Sequence, residues 1–191
     1  MLPHPILPLE KEKWKGHPLP IGYTTNTYYD VTIDRTDDGF TMRMVLTDCS
    51  DTPITHTAEE YDFPDKLYED YRPNSRAWGM VDNNGTLIAA IETEVEEWSN
   101  RLRVHELWID DAYHRRGIGR ALMNLAKEEA RRDGRRMLML ETQSCNTNAI
   151  GFYLHEGFTL IGFDACCYAN NDLARKEVRI ELGWDPTKET E

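Results

Sequence analysis

The sequence predicts an α/β domain with a mixed, partly parallel central β-sheet flanked by helices. Three observations carry that expectation. The first half alternates β-branched and aromatic runs with Asp-, Asn- and Gly-rich turns, the pattern of antiparallel hairpins. Near residue 117 the apolar period changes from that of a strand to that of a helix. Beyond it, apolar strands alternate with helical segments, and strand–helix–strand units imply parallel neighbours.

Residues 1 to 20 hold five of the nine prolines and read as an irregular arm across the surface. The expected organisation is therefore a Pro-rich arm over 1–20 and a single domain over 21–191. TYYDVTIDR (27–35) and FTMRMVLTD (40–48) flank a DDG turn and predict a hairpin. TAEEYDFPDKLYEDY (57–71) has helical spacing broken by Pro64. AWGMVD (77–82), the turn NNG and TLIAAIETEVEEW (86–98) predict a second hairpin, and RLRVHELWID (101–110) another strand. In the helix that follows, Ile118, Ala121, Leu122, Leu125 and Ala126 share one face, with Lys127, Glu128, Arg131 and Arg132 outside it. Asp133 and Gly134 end it. RRMLMLETQ (135–143) then predicts a strand, CNTNAIGFYLHEG (145–157) a helix, and FTLIGFDACCY (158–168) and KEVRIELGW (176–184) two strands.

A chain of 191 residues with 40% hydrophobic content can bury one substantial core. Lys+Arg 22 against Asp+Glu 34 gives a formal net charge of −12. That balance argues against nucleic acid and anionic membranes as partners and suits a small cationic molecule. No apolar run is long enough for a bilayer, and MLPHPILPLEKEKWKG lacks the basic and apolar regions of a signal peptide. Cys49, Cys145, Cys166 and Cys167 form no CxxC pair. A cytoplasmic protein with reduced thiols and no metal site is the expectation. The sequence leaves the oligomeric state open, a homodimer among the options.

Against this acidic balance, YHRRGIGRAL (113–122) gathers Arg115, Arg116 and Arg120 around Gly117 and Gly119, between a strand and a helix. The first amides of a helix have no acceptors within it, and with the helix dipole they favour an anion. Glycine lets a ligand approach the backbone closely, and arginines neutralise phosphate oxygens. The alternative is a solvated helix start whose arginines pair with surface carboxylates. GxxxxGK[ST] is absent, and GIGRAL has leucine where GxGxxG needs its third glycine, which turns the reading away from ATP and NAD.

LWIDDAYHRRGIGRALM (107–123) resembles the cofactor motif of the GNAT superfamily of N-acetyltransferases. There a strand, a Q/R-x-x-G-x-G/A loop and a helix hold the pyrophosphate of acetyl-CoA. NTNAIGFYLHEGF (146–158) resembles the second signature of the family, N-x-x-A-x-x-F-Y-x-x-x-G-F. The resemblance covers roughly residues 78 to 183 and implies a GNAT-like fold with acetyl-CoA as co-substrate. It places the pantetheine against the backbone of Leu107, Trp108 and Ile109. It places the phosphates on His114, Arg115, Arg116, Gly117, Ile118, Gly119 and Arg120, and Asn146 beside the cofactor as helix N-cap. His114 departs from the family's Q/R position, which implies altered contacts in a loop that binds mainly through amides. LETQ (140–143), Phe152-Tyr153 and CYANND (167–172) are similar to streptothricin acetyltransferases, which acetylate an amine on a β-lysine arm.

Amide formation from a thioester needs a neutral amine, an oriented carbonyl, a stabilised oxyanion and a proton for the thiolate. An alkyl amine has a pKa of about 10, so a base must remove a proton. The resemblance makes Tyr153 the acid. Glu106 and His105 adjoin the pantetheine strand section and are the candidate bases; strict alternation would put them on opposite faces. Glu92, Glu94 and Glu96 alternate onto one face with Trp98 in phase, a candidate pocket for a cationic arm or a solvated edge strand. Acetylation of a primary amine of a cationic small molecule, the β-lysine moiety of streptothricin foremost, is the expected function. A polyamine, an aminoglycoside, a protein lysine and a non-catalytic acyl-CoA sensor stay open.

Overall fold

The computed structural model describes residues 2–60 and 65–188. Its strands are β1 (Ile6–Pro8), β2 (Tyr23–Thr25), β3 (Thr27–Arg35), β4 (Phe40–Asp48), β5 (Ile54–His56), β6 (Arg76–Val81), β7 (Leu87–Glu96), β8 (Arg101–Ile109), β9 (Met137–Gln143), β10 (Thr159–Asp164) and β11 (Arg179–Trp184). Its helices are α1 (Lys11–Trp14), α2 (Ile118–Arg132), α3 (Thr147–His155) and α4 (Asp172–Arg175). The chain divides into two units: Met1–Ile21, Ala58–Leu140 and Trp184–Glu191 form one, Gly22–Thr57 and Glu141–Gly183 the other.

In the first unit the strands lie in the order β1-β6-β7-β8-β9. The β6–β7 and β7–β8 ladders are antiparallel, while β8 and β9 are parallel. The connection between β8 and β9 is α2, as a parallel pair requires. The mixed sheet expected from the sequence is therefore present. Ile118, Leu122, Met123, Ala126 and Ala130 of α2 are buried, as are Ile91, Leu102 and Val104 of the sheet. Gly134 ends α2 in the left-handed region at φ 62, as expected. Lys127 departs from the predicted solvent face. It is buried, its stem lying along apolar surface and its Nζ 5.4 Å from the Trp184 ring centroid.

Residues 1–20 are not irregular throughout. β1 pairs antiparallel with β6 at the sheet edge, where a proline costs no ladder hydrogen bond. Leu9, Trp14 and Leu19 join Leu67, Tyr68, Ala77, Leu87 and Ala90 in a buried cluster. Gly79 makes this docking possible: a Cβ there would lie 2.6 Å from the Ala89 carbonyl and 2.7 Å from Leu9 Cδ1.

The helical expectation for 57–71 also fails among the described residues. A single 3-10 turn covers Ala58–Glu60, residues 61–64 including Pro64 lie outside the described residues, and turns follow. Tyr68 stands at φ 57, which no right-handed helix accommodates.

In the second unit β3 and β4 form the predicted hairpin, paired from Thr27↔Asp48 to Arg35↔Phe40. β2 pairs antiparallel with β5, and β10 with β11. Ile150, Tyr153, Phe158, Val178, Ile180 and Leu182 are buried. The short helix α4 in CYANNDLAR was not expected; Asp172 Oδ2 accepts the Tyr168 N–H at 2.8 Å and anchors it.

Candidate active site

The glycine turn opens α2 as expected. Gly117 occupies the N-cap position at φ 78, and Arg115 is also left-handed at φ 60. Apart from Gly117 and its chain neighbours, no heavy atom of the described residues lies within 4 Å of where a Gly117 Cβ would sit. The Ala121 N–H bonds to the Gly117 carbonyl, so the amides of Ile118, Gly119 and Arg120 precede the first intrahelical bond. His114 turns back to the strand: its Nε2 lies 2.9 Å from the Ile109 carbonyl, which only accepts, so the ring donates. Arg116 donates to the Ala112 carbonyl at 3.0 Å and stacks 5.1 Å from the Tyr113 ring centroid. Arg115 and Arg120 are exposed.

The strand before the turn has an open edge. β8 runs to Ile109, but its ladder with β9 covers only Arg101↔Met137 to Arg103↔Met139. Beyond Arg103 no further β9 partner follows in that ladder, so the backbone of Leu107, Trp108 and Ile109 offers groups that an extended ligand can pair with. On its other side this stretch is paired with Ile91, Ala90 and Ala89 of β7.

Charged groups concentrate one step earlier. Glu92 and Glu106 are cross-strand partners, which puts their side chains on one face. Both are buried, at 0% and 4% exposure. Arg72 Nη1 donates to Glu106 Oε1 at 2.6 Å, and Arg72 Nη2 to the Tyr71 hydroxyl at 2.9 Å. The Tyr68 N–H donates to Glu92 Oε2 at 2.9 Å. The left-handed turn at Tyr68 thus aims its amide at a buried carboxylate. Burial and the nearby Asp65 carboxylate push the Glu106 carboxyl up to about 8, outweighing Arg72.

His105 differs. Glu92↔Glu106 is followed by Thr93↔Val104, so His105 is the extra residue of a β-bulge. Strict alternation therefore does not separate it from Glu106, and the Arg72 charge acts on both. Burial, with the charges of Arg72 and Arg103, lowers its imidazole to about 3. The ring stays neutral, 3.5 Å from Glu94 Oε2.

The extra residue lies on β8, so Glu92, Glu94 and Glu96 still alternate along β7, but most of their oxygens already have partners. Glu94 Oε1 accepts the Asn74 N–H at 3.0 Å, and Glu96 pairs with Arg101 at 2.7 Å and Arg103 at 2.6 Å. Trp98 lies past the end of β7 in a 3-10 turn, 85% exposed, with the Arg101 guanidinium 5.5 Å from its ring. The buried Oε1 of Glu92 has no hydrogen-bond partner among the described residues.

In the second unit Asn146 caps α3, its side chain accepting the Ala149 N–H at 3.2 Å. Tyr153 lies on the buried side of α3, its ring 5.4 Å from Phe152 and 6.0 Å from Phe158. Asp164 Oδ1 accepts the Cys166 N–H at 2.9 Å. Arg72, Tyr68 and Asp65 were missed from the sequence. They sit in or beside a stretch whose helical spacing gives way to turns in the structure, and only the excess of buried acids on β7 and β8 calls for a cation there.

The Acetyltransferase (GNAT) family model matches residues 42–158. The chain belongs to this family. It is 31% identical over 153 residues to the streptothricin acetyltransferase of Streptomyces lavendulae, covering 76% of each chain. A crystal structure of nourseothricin acetyltransferase superposes with TM-score 0.69 at 28% identity, over 95% of this chain and 98% of that one. A candidate streptothricin acetyltransferase from Bacillus anthracis str. Ames, in complex with acetyl coenzyme A, shares the fold with TM-score 0.71 at 22% identity, over 95% and 97%.

As a member of the family the chain is an acyltransferase, and acetyl-CoA supplies an activated acetyl thioester. The residues present fit that molecule. An open strand edge at Leu107–Ile109 suits amides, and the uncrowded Gly117 turn at a helix start with Arg115 beside it suits phosphates. No group of His, Cys, Asp and Glu able to hold a metal occurs among the described residues, and no helix there is long and apolar enough to cross a membrane.

Proposed function

We propose that the chain transfers an acetyl group from acetyl-CoA to a primary amine of a small cationic molecule, and that this molecule is streptothricin, acetylated on its β-lysine moiety. The coarser part rests on family membership and the finer part on the 31% identity to the Streptomyces lavendulae enzyme. One structural observation carries the chemistry: a buried carboxylate, Glu106, stands on the strand that leads into the glycine turn.

In this reading Glu106 is the base. A carboxyl held at about 8 is matched to taking a proton from an ammonium near neutral pH, directly or through water, whereas an imidazole at about 3 holds protons too weakly. Arg72 orients the Glu106 carboxylate through Oε1 and leaves Oε2 for the proton. The turn from His114 to Arg120 binds the phosphates, and the edge from Leu107 to Ile109 aligns the pantetheine. Tyr153 donates the proton to the departing thiolate, and Asn146 holds the start of its helix. Glu94 and Trp98 fall out of the substrate pocket, the first because it is already partnered and the second because it leaves the strand.

The test is thiol release from acetyl-CoA with streptothricin, spermidine, an aminoglycoside and a lysine peptide, with resistance scored on expression. Streptothricin should be acetylated with the highest kcat/KM. Acetylation of another amine alone would overturn the antibiotic assignment and keep the transferase. Binding of acetyl-CoA with no acetylation of any amine would favour a sensor.

A further inference from the structure

The cluster around β7 and β8 holds more buried negative groups than positive ones. The Arg72 guanidinium interacts with Asp65, Glu92 and Glu106, and the charges of Asp65 and Glu92 both act on Glu106. His105 adds no charge, since its ring stays neutral. Arg72 spends both terminal nitrogens on Glu106 and Tyr71, and its Nε has no partner. Glu92 is fully buried and has one oxygen on the Tyr68 amide, while the other has no hydrogen-bond partner among the described residues.

A buried carboxylate oxygen without a donor is costly, and buried charges are normally paired. The cluster is short of cations. Asp65 is only partly buried, and it interacts with both Glu106 and Arg72.

We infer that Glu92 Oε1 and Asp65 form a subsite for a second ammonium of the acceptor, one that is not acetylated, next to the amine that Glu106 deprotonates. The inference rests on the acetyl-transfer reading and deepens it. It makes the acceptor a diamine and explains why one carboxylate oxygen of Glu92 is left without a partner on β7, where Glu94 and Glu96 are engaged. A charge-assisted hydrogen bond in such a site favours the second cation by about 10- to 100-fold. A reacting amine bound alone would leave Glu92 as it stands in the free protein.

Two ligands that differ only in the second cation decide the matter: 1,5-diaminopentane and 1-aminopentane. Acetylation by the wild type should favour the diamine by about tenfold or more in KM. Glu92→Gln keeps an oxygen for the Tyr68 amide and removes the charge. It should bring the two KM values to within about twofold, with Asp65→Asn intermediate. A second readout needs no turnover. Free Glu92→Gln should melt above the wild type, because an unpaired buried charge is gone, and its Tm should no longer rise on adding 1,5-diaminopentane. An unchanged diamine preference and an unchanged Tm response in Glu92→Gln would overturn the subsite. If no amine is acetylated, the transfer reading fails, and the Tm response still decides the subsite.

Discussion

Arg72 and Glu106 form a buried ion pair that ties the turns of 65–75 to the middle of β8. Nη1 and Oε1 are 2.6 Å apart, and the two residues are 8% and 4% exposed. Buried pairs of this kind cost desolvation and are weak contributors to net stability, so the pair is better understood through what it does to Glu106. It fixes one carboxylate oxygen and leaves burial and Asp65 to hold the group near neutrality.

Glu106→Gln removes the base while keeping an acceptor for Arg72. Turnover should fall by about 10²- to 10⁴-fold with little change in acetyl-CoA affinity. In the wild type the deprotonated carboxylate is the active form, so kcat/KM should rise with pH through about 8 and level off above it. A rate that rises and levels off well below neutrality would point to a different base.

Arg72→Met leaves Asp65, Glu92 and Glu106 without their cation. Stability should fall by about 3–5 kcal/mol in urea unfolding, as for one partner of a buried pair. Loss of the positive charge raises the Glu106 carboxyl further, so the activity profile should shift to higher pH. Arg72→Lys should recover part of the stability. Equal stability of all three proteins would show that the pair is not held in solution.

Much of this fold was legible because its signals are local. The β3–β4 hairpin was set by TYYDVTIDR, DDG and FTMRMVLTD, and α2 by an apolar stripe opened and closed by glycines. The glycine turn was legible for the same reason. What escaped depends on partners far along the chain. β1 is a strand only because β6 supplies a ladder, and Tyr68 leaves helical geometry while its amide meets Glu92, 24 residues away. The bulge at His105 broke the alternation that would have set His105 and Glu106 on opposite faces. Residue types along one strand do not disclose such an insertion, because it is defined against the neighbouring strand.

The neutral His105 makes stability pH-dependent in a set direction. Its folded-state value of about 3 lies below the ordinary 6.5. Below pH 6.5 the unfolded chain takes up a proton that the folded chain refuses, so this contribution is complete above 6.5 and is lost as pH falls toward 3. Glu106 works the other way, its contribution being lost as pH rises from 4.5 to about 8. Comparison of the wild type with His105→Gln cancels the Glu106 effect. Between pH 7 and pH 5 the wild type should lose up to about 2 kcal/mol more than the variant. Parallel losses would mean that the ring titrates normally.

Tyr153→Phe keeps the ring that packs on Phe152 and Phe158 and removes only the hydroxyl. If that hydroxyl protonates the thiolate, kcat should drop by about 10²-fold while KM for acetyl-CoA barely moves. Full turnover in the variant would assign the proton to water or to another group.

Gly117→Ala separates the cost of backbone conformation from the cost of lost space. At φ 78 an alanine is strained by about 1–2 kcal/mol, so Tm should fall modestly. Within the protein itself the added methyl meets nothing beyond its chain neighbours, since no other heavy atom of the described residues lies within 4 Å. Any loss of acetyl-CoA affinity measured by calorimetry on the folded variant therefore reports a ligand that occupies this space or a turn whose amides have moved. Gly119→Asp tells these apart, because it sets a carboxylate beside the helix start where the phosphates would lie. Affinity should fall in both variants, and in Gly119→Asp the deficit should shrink as salt screens the charge. Normal affinity in both would remove the phosphates from the start of α2.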